Sequence, residues 1–103
     1  MKRIAVACEN EKGDISMRAG RATLYLVFDE KAKVVEKLKN PFRFGSGGAG
    51  FAVAKMLADK KIDIVIAGNF GGNMEMAMEE RGLKHFVMEG NAVKAVNEVN
   101  KKH

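Results

Sequence analysis

The stretch NPFRFGSGGAGFAVAKML, Asn40 to Leu57, decides how the chain folds. Four glycines fall within the six positions Gly45 to Gly50, and an apolar, helix-forming segment follows directly. As text, Gly45-Ser46-Gly47-Gly48-Ala49-Gly50 satisfies G-x-G-x-x-G, the dinucleotide-binding fingerprint. That fingerprint works only in the tight turn between a buried strand and its helix, with an acidic residue about 20 positions on, at the end of the next strand. Here the preceding segment is a lysine-rich arm interrupted by Pro41 and Phe42-Arg43-Phe44, and Asp63 stands at the start of the next strand. The context argues against a dinucleotide turn. Two readings remain. The glycines turn a corner and let a helix pack close to a sheet, or their main-chain N–H groups open onto a helix N-terminus whose partial positive charge suits an anion.

Upstream of the glycines, Arg3-Ile4-Ala5-Val6-Ala7-Cys8 is almost continuously apolar, the pattern of a central strand covered on both faces. Glu9 to Gly20 is polar and glycine-punctuated, a loop long enough to carry a site. Thr23 to Phe28 and Lys33 to Lys39 read as an antiparallel hairpin, the second arm near the sheet edge with lysines that discourage edge pairing. Downstream, Phe51, Ala54, Leu57 and Ala58 recur at helical spacing. Ile62 to Ala67 reads as a buried strand, Met74 to Arg81 as a helix stopped at Gly82, and Leu83 to Met88 as a third buried strand. Ala92 to Val99 closes the pattern as a helix, with Val93, Val96 and Val99 expected on its inner face. The order β-β-β-α-β-α-β-α predicts an α/β fold: a mixed sheet with strands one, four and five parallel, strand two antiparallel, and helices on the faces.

At 103 residues the chain is long enough for one hydrophobic core and too short for two, so residues 1–103 are expected to form a single domain. No apolar run approaches the roughly 18 residues of a membrane span, and Met1-Lys2-Arg3 leads into a strand, so the protein is expected to be cytoplasmic. The single cysteine, Cys8, rules out an internal disulfide and any cage of several thiolates from one chain. The formal charge of +5 raises nucleic acid as a partner. Much of the excess lies in Lys31, Lys33, Lys37 and Lys39 and in Lys101 and Lys102, a hairpin face and a tail, so nucleic-acid binding is not expected.

Gly68-Asn69-Phe70-Gly71-Gly72-Asn73 repeats the glycine-rich entry to a helix at the carboxyl end of a parallel strand, where open α/β sheets place ligands. The two glycine clusters are expected to line one cleft, with Ser46, Gly47, Gly48 and Gly50 on one side and Asn69, Gly71, Gly72 and Asn73 on the other, and with Arg18, Arg21 and Arg43 closing over it. Cys8 is expected at the cleft mouth, where a thiolate is a candidate metal ligand; its alternative is a small buried hydrophobe. His85 reads as a packing residue inside a strand, and Met74 and Met78 as core, with Met76 more exposed. A nuclease site needs clustered carboxylates to hold two magnesium ions, and Ile4 to Cys8 contains none. No Ser/His/Asp or Cys/His arrangement is legible, so no enzymatic activity and no catalytic residue are expected.

Three segments together carry a resemblance: Ile15 to Ala22, Asn40-Pro41 through Gly47-Gly48-Ala49-Gly50, and Asp63-Ile64-Val65-Ile66-Ala67-Gly68. They resemble the dinitrogenase iron-molybdenum cofactor biosynthesis family, which contains the cofactor carriers of nitrogenase assembly and many small stand-alone proteins. The resemblance spans essentially the whole chain. It implies a ribonuclease H-like, three-layer fold, and non-enzymatic binding or trafficking of an iron-sulfur or iron-molybdenum-sulfur cluster or its precursor, with cluster-assembly proteins as partners. Such clusters are strongly anionic and suit N–H groups and arginines. Members of that family often carry a histidine in the segment matching Ser16 to Arg21, where this chain has Arg18, and another before the glycines of the Asn40 to Gly50 segment, where this chain has none near Gly45. Two other functions use the same residues: binding or conversion of a phosphorylated small molecule or nucleotide, and an interaction domain that has lost its ligand.

Overall fold

The computed structural model describes residues 2–44 and 48–102. Five strands form one mixed sheet: β1 (Ile4–Cys8), β2 (Leu24–Phe28), β3 (Val34–Lys39), β4 (Ile64–Ala67) and β5 (Lys84–Val87). Their order across the sheet is β3-β2-β1-β4-β5. β1 pairs with β2 antiparallel and with β4 parallel, β2 with β3 antiparallel, and β4 with β5 parallel. The three helices are α1 (Ala49–Asp59), α2 (Gly72–Glu80) and α3 (Ala92–Lys102). The sequence of elements is the expected one, with a single 3-10 turn, Ala19–Arg21, added inside the first long loop.

Side chains alternate across a strand, and here the alternation sorts two cores of different character. Ala5 and Ala7 of β1, Val65 and Ala67 of β4, and Tyr25 and Val27 of β2 face α1 and α2, meeting Val53, Ala54, Leu57, Met74, Ala77 and Met78. Ile4, Val6, Ile64 and Ile66 face α3, meeting Ala92, Ala95, Val96 and Val99. Alanines on the central strands let two helices settle side by side on one face. On the other face β-branched side chains meet the small-residue flank of a single helix. Helices thus lie on both faces, α1 and α2 on one and α3 on the other.

Several expectations change. Leu83 to Met88 does not form a buried strand: β5 is an edge strand, with Lys84 and Val87 exposed. In α3 the inner face is Ala92, Ala95, Val96 and Val99, while Val93 is 43% exposed. In α1, Val53 takes the inward place given to Phe51, which is exposed. Met74 and Met78 are core and Met76 is exposed, as their spacing predicted. Among the described residues no helix is long and apolar enough to cross a membrane.

Cys8 requires a correction. It stands at an even position of β1, so the pleat turns its side chain toward α3, among Ile15, Leu24 and Ala92, instead of toward a cleft mouth. It is fully buried, its Sγ lies 3.3 Å from the Val6 carbonyl oxygen, and burial pushes the thiol up to about 11. At neutral pH the sulfur is a protonated thiol.

The loop after β1 is fastened at both ends of its course. Ser16 N–H donates to the Ala7 carbonyl and Gly68 N–H to the Ser16 carbonyl, both 2.8 Å, carrying the chain across the ends of β1 and β4. Farther out, Ile15 N–H donates to Gly90 O and Ala92 N–H to Gly13 O, tying residues 13–15 to the start of α3. Beneath the 3-10 turn, the buried Tyr25 hydroxyl donates to the Ala19 carbonyl. Asn40, 4% exposed, donates from Nδ2 to the carbonyls of Gly20 and Ala22.

Two outcomes follow from these placements. Iodoacetamide should modify Cys8 in the folded protein at neutral pH on the order of a hundredfold more slowly than an unfolded cysteine, because thiolate fraction and access are both low; alkylation at the unfolded rate would contradict its burial. Tyr25→Phe should lower the free energy of unfolding in urea by about 1–2 kcal/mol, since it leaves the Ala19 carbonyl without its buried donor.

Candidate anion-binding site

At the carboxyl end of the parallel β1 and β4 pair, the first turns of α1 and α2 lie side by side. The contact is intimate: a Cβ added to Gly50 would stand 3.0 Å from Met74 Cβ and 3.1 Å from Met74 N. Glycine at 50 is what allows the two helix entrances to sit this close. The 3-10 turn closes the third side, with Gly20 against the Gly50 main chain and Ala19 N–H donating to the Asn69 carbonyl at 3.1 Å. Between them lies a cleft of about 510 Å³.

The electrostatics of the cleft come from the helix entrances. Gly48 is the N-cap of α1 with φ +74°, a left-handed conformation that favours glycine, and Gly71 is the N-cap of α2 in extended backbone. Neither cap residue offers a side chain to the first-turn N–H groups. The first main-chain bonds of the two entrances run from Ala52 N–H to Gly48 O and from Glu75 N–H to Gly71 O, so the preceding amides have no acceptor inside their own helices. α3 is built differently. Asn91 Oδ1 accepts from Val93 N–H at 2.9 Å and from Lys94 N–H at 3.4 Å, and Gly13 O takes Ala92 N–H. The chain caps the helix that lies away from the cleft and leaves the two that open into it without side-chain caps.

Gly71 and Gly72 bear on the same point. Neither has a left-handed φ, and a Cβ on either would meet nothing within 4 Å. Packing does not demand glycine at these positions; its effect is to keep main-chain N–H groups bare at the cleft wall.

Of the residues expected to converge, Arg18, Arg21, Gly48, Gly50, Asn69, Gly71, Gly72 and Asn73 all line this cleft, joined by Ala49 and Met74. Ser46 and Gly47 lie outside the described residues. Arg43 is a correction. It lines the adjoining hollow with Asn40 and Lys39, its guanidinium lies 4.5 Å from the centroid of the Phe44 ring, and its carbonyl accepts from Arg21 Nη1 at 3.3 Å. It braces one arginine of the rim and does not close over the cleft. The loop residues before Arg18 do not line the cleft either, and Asp14 among them bridges to Asn91.

The rim positions are set by residues to which the sequence reading gave no role. Ser16 Oγ accepts from Arg18 N–H at 3.1 Å, and Tyr25 and Asn40 hold the turn that carries Arg21. Asn40 beside Pro41 was the one legible signal, a polar residue at a turn; nothing in the local pattern marks Tyr25, whose partner is fixed only by the loop folding over it.

Among the described residues no three of His, Cys, Asp and Glu gather as a metal site. His85 lies on β5 with its ring 5.0 Å from that of Phe70, edge-on, and Nε2 3.5 Å from Glu75 Oε2. It packs behind the start of α2. What the cleft offers is an array of N–H donors and two guanidinium groups, suited to a multiply charged anion and unsuited to a bare metal cation.

No curated protein matches the chain. Solved structures do. The apo form of the orange protein from Desulfovibrio gigas is 30% identical, superposes with a TM-score of 0.89, and is matched over 99% of this chain and 89% of its own. A Thermotoga protein provisionally described as NifB is 25% identical, with a TM-score of 0.78 over 99% of this chain and 89% of the other. A Methanocaldococcus jannaschii protein provisionally described as a dinitrogenase shares the fold at 14% identity, with a TM-score of 0.68 over 97% and 88% of the two chains. The profile of the family described as dinitrogenase iron-molybdenum cofactor matches residues 1–102, the span that includes both uncapped helix entrances and the loop that roofs them, and the chain is a member of that family.

Proposed function

We propose that the protein binds or carries, without turning it over, an anionic iron-sulfur or iron-molybdenum-sulfur cluster or a precursor of one. The observation that carries this reading is the convergence of two helix N-termini, both lacking side-chain caps, on one cleft rimmed by Arg18 and Arg21. Sulfides at the surface of such a cluster accept hydrogen bonds, and on this reading the first-turn amides of residues 49–50 and 72–73, which line the cleft, donate to them. Arg18 and Arg21 supply net positive charge, and the carboxamides of Asn69 and Asn73 add neutral donors at the rim.

Holding by hydrogen bonds and charge suits a carrier for a physical reason. A cluster tied by thiolates leaves only through ligand exchange, whereas one held by amides leaves when a competitor offers better coordination. With the Cys8 thiol protonated on the opposite face of the sheet, this cleft has no cysteine ligand to exchange. On this reading the cluster is transient cargo, cluster-assembly proteins deliver and receive it, and the working compartment is the cytoplasm. The strand order β3-β2-β1-β4-β5 supports a ribonuclease H-like classification. The all-apolar β1 supports a non-enzymatic role, since nuclease chemistry on such a sheet needs a carboxylate there.

Anaerobic titration with tetrathiomolybdate is the test. Charge-transfer absorption and metal retained after desalting are expected; a thermal shift with nucleotides alone would transfer the cleft to phosphorylated ligands, and no response to either would end both readings. Arg18→Ala with Arg21→Ala should weaken tetrathiomolybdate binding about tenfold and flatten its salt dependence. Gly71→Asp should separate binding from stability. An aspartate at that N-cap raises helix stability by a few tenths of a kcal/mol while its carboxylate occupies the amides the ligand needs. Binding should fall about tenfold as the melting temperature holds or rises; unchanged binding would remove the α2 entrance from the site.

A further inference from the structure

The same end of the sheet carries a second hollow, of about 750 Å³, larger than the cleft. It adjoins the cleft where Arg21 of the cleft rim donates to the carbonyl of Arg43, a residue of the second hollow. Thr23, just before β2, and the first residue of β2, the largely buried Leu24, form its floor. Lys12, Lys39 and Arg43 bring cationic side chains from three different segments. Glu11 also lines the hollow, but its carboxylate is taken by Lys37 Nζ. The lining therefore keeps a positive excess. β3 forms the outer edge of the sheet here, so an extended chain arriving beside Lys39 meets main-chain groups with no neighbouring strand.

We propose that this hollow is the docking site for an extended, acidic segment of a partner protein, set beside the cleft mouth. Two features favour a polypeptide over a small anion. The cations are carried on separate segments, without the fan of helix N–H groups that the cleft presents. The aliphatic stems of Lys12, Lys39 and Arg43, next to an edge strand, suit side chains and backbone of an extended chain, with carboxylates meeting their charged ends. A partner seated there would stand next to the cleft without filling it. The inference concerns a surface apart from the cleft and stands whatever the cleft carries.

Fluorescence anisotropy of the full chain with a labelled peptide of alternating glutamate and leucine tests it, with the glutamine counterpart as control. The acidic peptide should bind, its affinity should fall with added salt, and the glutamine peptide should bind about tenfold more weakly. Lys12→Glu with Lys39→Glu should cut acidic-peptide affinity at least about tenfold while leaving tetrathiomolybdate binding unchanged, and Arg18→Ala with Arg21→Ala should do the reverse. The proposal is overturned if the acidic peptide does not bind, if the lysine reversal leaves its affinity intact, or if citrate at equal concentration displaces it, which would make the hollow a small-anion site. Loss of tetrathiomolybdate binding in the lysine variant would also overturn it, by merging the two hollows into one site.

Discussion

The approach of α1 to α2 at Gly50 and Met74 is the contact on which the site depends. Two helix entrances repel each other through their like partial charges, so bringing them together has an electrostatic cost that packing must offset. The offset is visible below them, where Val53, Ala54 and Leu57 of α1 and Met74, Ala77 and Met78 of α2 are buried against Ala5, Ala7 and Ala67 of the sheet. Small side chains on the sheet lower both helices onto it, and the missing Cβ at 50 lets their first turns close up. The result is a local positive field made by the backbone, which no protonation change within the ordinary pH range can switch off.

A field of this kind is useful only if its donors stay in place. The loop over the cleft is held by main-chain bonds at Ser16, Gly68 and Ala19 and by the buried side chains of Tyr25 and Asn40. None of these groups needs to touch a ligand. Their effect is to order the loop during folding, before any ligand arrives. The contrast with α3, capped by Asn91 and the Gly13 carbonyl, shows that side-chain capping is available to this chain where a helix end faces away from the cleft.

The two faces of the sheet divide the labour. The α3 face takes Cys8, Ile4, Val6, Ile64 and Ile66 and is closed over by one helix. The opposite face carries the paired helices whose entrances form the cleft. A thiol belongs to one face or the other by the parity of its position, and position 8 sends it to the core. Register places Lys37 and Lys39 of the edge strand opposite Leu26 and Leu24, on the same face, where Glu11 answers the first and the second helps line the adjoining hollow.

Much of this could be read along the chain. Period-two and period-3.6 patterns located every strand and helix in order, and the failure of the G-x-G-x-x-G stretch to follow a buried strand was enough to set the dinucleotide fold aside. Glycine clusters before two helices, with arginines at 18 and 21, marked most of the cleft, because uncapped helix starts leave a local signature. Other features depended on through-space neighbours. Which face Cys8 takes, that β5 rather than a buried strand ends the sheet, that Arg43 turns onto Phe44 and braces Arg21, and that Tyr25 and Asn40 hold the roof are all settled by elements far apart in the chain. The sequence by itself determined the kinds of elements, their order and the absence of side-chain caps at Gly48 and Gly71, since these depend on neighbours within a few residues. The tertiary structure alone decided which groups share a cleft, because convergence depends on sheet order and pleat parity acting across the whole chain.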